Sequence, residues 1–240
     1  MRVETLLEVQ DVTKRFGGFQ ALGAVNLHVR QGERFGLIGP NGSGKTTLIN
    51  CISGTLKTDA GRIVFAGQEI TGLPAHRRTR LGIARSFQIP KPFVSMTVLQ
   101  NLMIPVEYSG RGHRDGVVDE AMGILEMMGL AAKAHAPSAA LTQIEMRKLE
   151  LARAMAARPR LLVSDEAMAG LSSAEVDDIL AILFELNRRG ITIIMIEHIM
   201  RAVMRFCERI AVLDAGEKIA EGGPDEILAN ARVEKAYLGE

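Results

Sequence analysis

Residues 34–53 read RFGLIGPNGSGKTTLINCIS, and the order of features along this stretch decides the fold. Residues 34–38 are a short, mostly apolar run that predicts a buried strand, and residues 45–53 predict a helix. Between them GPNGSGKT, residues 39–46, matches G-x-x-x-x-G-K-[ST] in full. Glycines at these places let successive backbone amides turn inward on an anion, and the following helix adds its positive N-terminal end. Gly39, Pro40, Asn41, Gly42, Ser43 and Gly44 would therefore cradle phosphates, and Lys45 would reach the β- and γ-phosphates of a nucleoside triphosphate. The Thr46 hydroxyl would ligate Mg²⁺, and Thr47 would add a further phosphate contact.

Working outward, LLVSDE (161–166) is an apolar strand that delivers two adjacent carboxylates at its C-terminal end, the edge where parallel sheets bind ligands. Asp165 suits the Mg²⁺ sphere, and Glu166 is placed to polarise an attacking water. The same geometry recurs at IMIEHIM (194–200), where a strand over 191–196 ends in Glu197 and His198; His198 would contact the γ-phosphate and the water. After residue 141 the order is helix, strand (161–164), helix (174–189), strand (191–196), helix, strand (209–213). That alternation predicts a mainly parallel α/β sheet covered on both faces. Upstream, Leu7, Val9, Val25, Leu27 and Val29 alternate with polar residues, which predicts an antiparallel β part at the N-terminus. Residues 97–130 read as helices around a breaker-rich SGRGHRDG (109–116).

Composition narrows the possibilities. With 29 basic against 28 acidic residues, no electrostatic case exists for nucleic-acid binding. The acidic Glu4 falls where a signal peptide needs a basic region, and no apolar run is long enough to span a bilayer. Cys51 and Cys207 lack metal-ligand or redox spacing and read as buried, reduced thiols. The twelve methionines read as adaptable core packing, and the cluster Arg77, Arg78, Arg80 as a solvated face or loop.

These motifs in this order resemble the ATP-binding cassettes of ABC transporters over essentially the whole chain. The resemblance implies a phosphate-loop NTPase fold: one cassette over residues 1–240, with a helical subdomain inserted at about 90–157. It implies that Phe16 in KRFGG stacks on adenine, and that Gln88 in ARSFQ contacts Mg²⁺ and the attacking water. The stretches IARSFQ, MTVLQNL, AGL, IEH and the terminal AYLGE are similar to the branched-chain amino-acid importer ATPases, some relatives of which carry urea, short amides or aromatic acids. ATP and Mg²⁺ are the implied ligands. Membrane permease subunits and a second cassette, a different chain or an identical one, are the implied partners, with an external solute-binding protein acting indirectly. The implied location is the cytoplasmic face of the cell membrane, as a peripheral subunit. Permease docking is expected through residues 88–96 and the helical subdomain.

The sequence departs from the family pattern at the signature, usually LSGGQ, which here reads LTQIE (141–145). Thr142 keeps a hydroxyl for the partner's γ-phosphate, whereas Ile144 replaces a glycine, which predicts crowding of the anion. Ala167 and Ser172 replace a proline and an aspartate near the dimer contact. Two rival readings follow: a subunit that binds ATP without hydrolysing it, to complete a partner's site, and a soluble ABC ATPase outside transport. The intact Lys45, Asp165, Glu166 and His198 speak against the first, and a length of 240 residues without a coiled-coil insertion against the second.

Overall fold

The computed structural model describes residues 4–87, 92–108 and 116–238. Strands β1 (Thr5–Phe16) and β2 (Phe19–Arg30) form a long antiparallel pair, and β4 (Ala60–Phe65) and β5 (Gln68–Glu69) extend the sheet in the order β2-β1-β4-β5. Val25, Leu27 and Val29 are buried while Asn26, His28 and Arg30 face water, so the alternation in the sequence reports a half-buried sheet.

The second sheet contains β3 (Arg34–Ile38), β6 (Ile83–Ser86), β7 (Leu161–Asp165), β8 (Thr192–Ile196), β9 (Arg209–Asp214) and β10 (Glu217–Gly222), in the order β10-β9-β3-β8-β7-β6. Every pairing is parallel except β9 with β10. Consecutive residues point to opposite faces, and both faces are covered. Ile193 and Met195 of β8 join one apolar cluster, whereas Ile194 and Ile196 join the other. That is why residues 193–196 read as an unbroken apolar run. One cluster takes in the antiparallel sheet and α1 (Lys45–Ser53) through Leu48, Ile49 and Ile52. The other takes in α3 (Val98–Tyr108), α4 (Val117–Met127), α5 (Gln143–Met155), α6 (Ser173–Arg188) and α7 (Met200–Phe206).

Strand and helix limits fall within a residue of those read from the sequence. Part of the breaker-rich segment, residues 109–115, lies outside the described residues. Short helices α8 (Pro224–Leu228) and α9 (Ala231–Leu238) follow β10. Cys51 and Cys207 are buried and free, and burial pushes their thiols up to about 11 and about 12. Among the described residues no helix is long and apolar enough to cross a membrane.

The basic cluster needs correcting. Arg77 and Arg80 are exposed, but Arg78, on helix α2 (Ala75–Leu81), is only 2% exposed. Its guanidinium donates to the carbonyls of Cys51 (2.6 Å), Ile52 (2.9 Å), Thr71 (2.9 Å) and Leu73 (2.8 Å). Two of these belong to the last turn of α1, whose carbonyls have no helical partner and carry the negative end of the dipole. Arg78→Met should leave buried acceptors unmet and cost about 2–4 kcal/mol of stability. Urea unfolding measures this; an unchanged midpoint would contradict it.

Candidate functional site

The loop after β3 needs glycine at two positions for steric reasons. At Gly39 (φ +150°) a Cβ would lie 2.0 Å from the Leu213 carbonyl oxygen, and at Gly44 (φ +103°) one would lie 2.8 Å from that of Ala21. Close approach to β9 and β2 holds the loop in shape before any ligand arrives. Gly44 caps α1, which has no side-chain cap and no acidic residue in its first turn, so its leading amides are left for an anion. Lys45 is buried, and its Nζ donates to the carbonyls of Gly39 (2.8 Å) and Pro40 (3.0 Å). Burial draws the ammonium pKa below its ordinary value, and the nearby carboxylates Glu166 and Asp165 oppose that shift.

Strand order collects the remaining groups. Because β8 lies between β3 and β7, and Asp165 pairs in register with Ile196, the motifs ending these three strands meet at one sheet edge. The Glu166 amide donates to Ile196 O at 2.9 Å, and Glu166 itself holds a left-handed φ of 47°. A non-glycine residue in that region is costly unless its surroundings enforce it. The turn brings Oε1 of Glu166 to 3.2 Å from His198 Nε2. Phe16, Asn41, Gly42, Ser43, Gly44, Lys45, Thr46, Thr47, Glu166 and His198 line one cleft. Phe16 is half exposed, paired with Phe19 across the β1–β2 turn, and Phe19 lines the same cleft. An exposed aromatic pair beside a phosphate loop offers a flat base a stacking surface.

Other residues lie apart from this group. Gln88 is outside the described residues. Asp165 is buried, is not among the cleft's lining residues, and is held by Arg85. Thr142 is not among the cleft's lining residues; it caps α5, its hydroxyl oxygen accepting from the Glu145 amide (3.4 Å) while the Glu145 carboxylate accepts from the Thr142 amide (2.9 Å). Glu145 also pairs with Lys133 at 2.6 Å. Ile144 takes an ordinary helical position in this turn and leans partly on the core. The thioether-free, oxygen-only donors near the loop, the Thr46 hydroxyl and the Asp165 carboxylate, suit a hard cation such as Mg²⁺, which keeps several waters and takes one or two carboxylates.

Sequence reasoning missed three contributors. Arg85 lay inside the quoted IARSFQ without a role. Glu197, 2% exposed, accepts from the Met168 amide at 2.9 Å and so fixes the loop after Glu166. Burial, reinforced by the charge of Glu166, pushes the Glu197 carboxyl up to about 7, against the pull of its backbone hydrogen bonds. Tyr237, from the terminal AYLGE, is partly exposed; partial burial raises its phenol, and the backbone at Gly39 of the phosphate loop partly opposes the rise.

Comparison with known proteins agrees with this geometry. Residues 22–169 match the ABC transporter family, and residues 217–240 match a family described as branched-chain amino acid ATP-binding cassette transporter. The chain is 38% identical to a high-affinity branched-chain amino acid transport ATP-binding protein of Pseudomonas aeruginosa, with 98% of each chain covered. It is 37% identical to the Escherichia coli protein of the same description, with 99% of each covered. A crystal structure of the ADP conformation of an ATP-binding cassette of an ABC transporter superposes with a TM-score of 0.89 at 34% identity, covering 98% of this chain and 99% of that one.

Proposed function

Since the chain belongs to the ATP-binding cassettes of ABC transporters, within the branched-chain amino acid branch, and is the ATP-hydrolysing subunit of such a transporter, we propose that it energises import of branched-chain amino acids or of related small polar or aromatic solutes. The observation that carries the reading is the convergence of Lys45, Glu166 and His198 on one cleft at the sheet edge, where Asp165, the residue before Glu166, ends β7 in register with Ile196. Residues 1–240 act as a single cassette, with residues 90–157 as its helical subdomain.

In this reading the adenine stacks on Phe16. The backbone N–H groups of the loop over residues 39–44, Pro40 excepted, and the ammonium of Lys45 hold the phosphates, with Thr47 adding a hydroxyl. Thr46, Asp165 and Gln88 would hold Mg²⁺, which would supply positive charge to offset that of the phosphates. Glu166 accepts the proton of the attacking water, and His198, hydrogen-bonded to Glu166, orients that carboxylate and the γ-phosphate. Thr142 faces the nucleotide of a second cassette, since it stands away from this chain's own cleft. With Ile144 in the signature, the site completed by this chain is the weaker of two when the second cassette is a different chain.

The permease docks on the cytoplasmic side of the membrane, at an apolar cleft between α2, β6, α3 and α5. Ala75, Ile83, Phe87, Pro105, Tyr108 and Ala154 line it, with exposed Phe93 and Val94 nearby in sequence. An exposed patch of this kind fits a helix laid into a groove. The test is to purify the chain with its permeases, second cassette and binding protein, and to measure solute-stimulated ATP hydrolysis. Stimulation by leucine, isoleucine or valine supports the solute assignment. Stimulation only by solutes outside the proposed class would overturn it, and no association with a permease would overturn the transport role.

A further inference from the structure

The Asp165 carboxylate is already engaged inside the protein. Arg85, two residues before the exposed Phe87, donates from Nε and Nη2 to the same oxygen, Oδ2, at 3.1 and 2.5 Å. Its third nitrogen donates to Oδ1 of Asn50 on α1 at 2.6 Å, so one guanidinium ties β6, β7 and the phosphate-loop helix together. Asp165 is buried and Arg85 largely so, with side chains 7% and 10% exposed. The Phe87 ring lies over the guanidinium, its centroid 5.2 Å from Cζ. Salt screens a pair at this depth less than a surface pair, so the charge of Arg85 is felt by whatever Asp165 meets.

We propose that Arg85 is a positioning and charge-balancing residue for the Mg²⁺ site: by occupying one oxygen of Asp165 it fixes the carboxylate rotamer and weakens its pull on the cation. The proposal rests on the reading that Asp165 serves Mg²⁺. A carboxylate with no neighbouring cation draws a divalent ion more strongly than one already paired with a guanidinium. Two donors on Oδ2 also hold the second oxygen, Oδ1, at a fixed place. The arrangement keeps Mg²⁺ binding modest in the absence of nucleotide, so that the metal is taken up with the phosphates that supply its other ligands.

The experiment uses the full-length chain carrying Glu166→Gln, so that nucleotide persists, and follows a fluorescent ATP analogue while Mg²⁺ is titrated. Arg85→Met should lower the Mg²⁺ concentration for half-saturation by roughly tenfold, the order expected when a unit charge is removed a few ångström from a divalent site. Arg85→Lys, which keeps the charge but cannot place two donors on Oδ2, should lower it by clearly less than Arg85→Met. Should Arg85→Met fail to fold, Arg85→Gln supplies the neutral side chain. A folded neutral variant with an unchanged or raised half-saturation overturns the role of Arg85. The companion Asp165→Asn separates the two layers of the argument: it should abolish the Mg²⁺ dependence. If Asp165→Asn leaves the dependence intact, the metal reading falls and takes this proposal with it.

Discussion

Replacing Lys45 by alanine should reduce ATP affinity by roughly 100-fold or more and bring hydrolysis to background, because two or more charge-assisted hydrogen bonds to phosphate are lost at once. The effect should be large because Lys45 is the phosphate-loop cation. It sits under the loop on the carbonyls of Gly39 and Pro40, between the loop and the carboxylates Glu166 and Asp165. Those carboxylates repel a nucleotide's phosphates once the ammonium is gone. Truncation leaves α1 intact, so far-UV circular dichroism should not change. Isothermal titration with ATP is the direct measurement, and unaltered affinity in a folded variant would remove the loop from the account.

Glu166→Gln should keep ATP binding while cutting hydrolysis by roughly 100-fold to 10,000-fold, the range a positioned general base contributes. An amide reproduces the shape of the carboxylate, including the 3.2 Å contact with His198 Nε2, and loses the basic oxygen. The left-handed backbone at Glu166 is unaffected by a change beyond Cγ. ATP-bound paired cassettes should therefore accumulate, visible as a larger species with retained nucleotide in size-exclusion chromatography. Wild-type turnover by this variant would mean that another residue takes the proton.

What was legible in the sequence follows from which contacts are local. The phosphate loop is a contiguous motif between a strand and a helix, and its glycines are fixed by sterics that any such loop shares. Strands β7 and β8 were legible because burial on both faces leaves no exposed position in either, so only Ser164, Asp165 and Thr192 interrupt or flank the apolar run. The placing of His198 beside Glu166 followed once the sheet was taken as parallel. Arg85 was not legible: its partner Asp165 is 80 residues away, and only the pairing of β6 with β7 brings them together. Arg78 looked like part of a charged surface because its four acceptors are backbone carbonyls, which carry no signature in the side-chain sequence. Strand β10 and helices α8 and α9 are short and partly exposed, so each offers few positions to read, although AYLGE marked the tail and Tyr237 lies within it. Ile144 was expected to crowd an anion. In α5 it adopts helical backbone and leans partly on the core, so any crowding comes from the remainder of the side chain.

The central claim is that this cleft hydrolyses ATP at full rate only when a second cassette supplies its signature. The most direct measurement is specific ATPase activity of the chain alone and in the complete transporter, at equal chain concentration. The account predicts a mostly monomeric, slow ATPase in isolation, with turnover per chain rising when the permeases and second cassette are present. An isolated monomer as active as the assembled complex would contradict it.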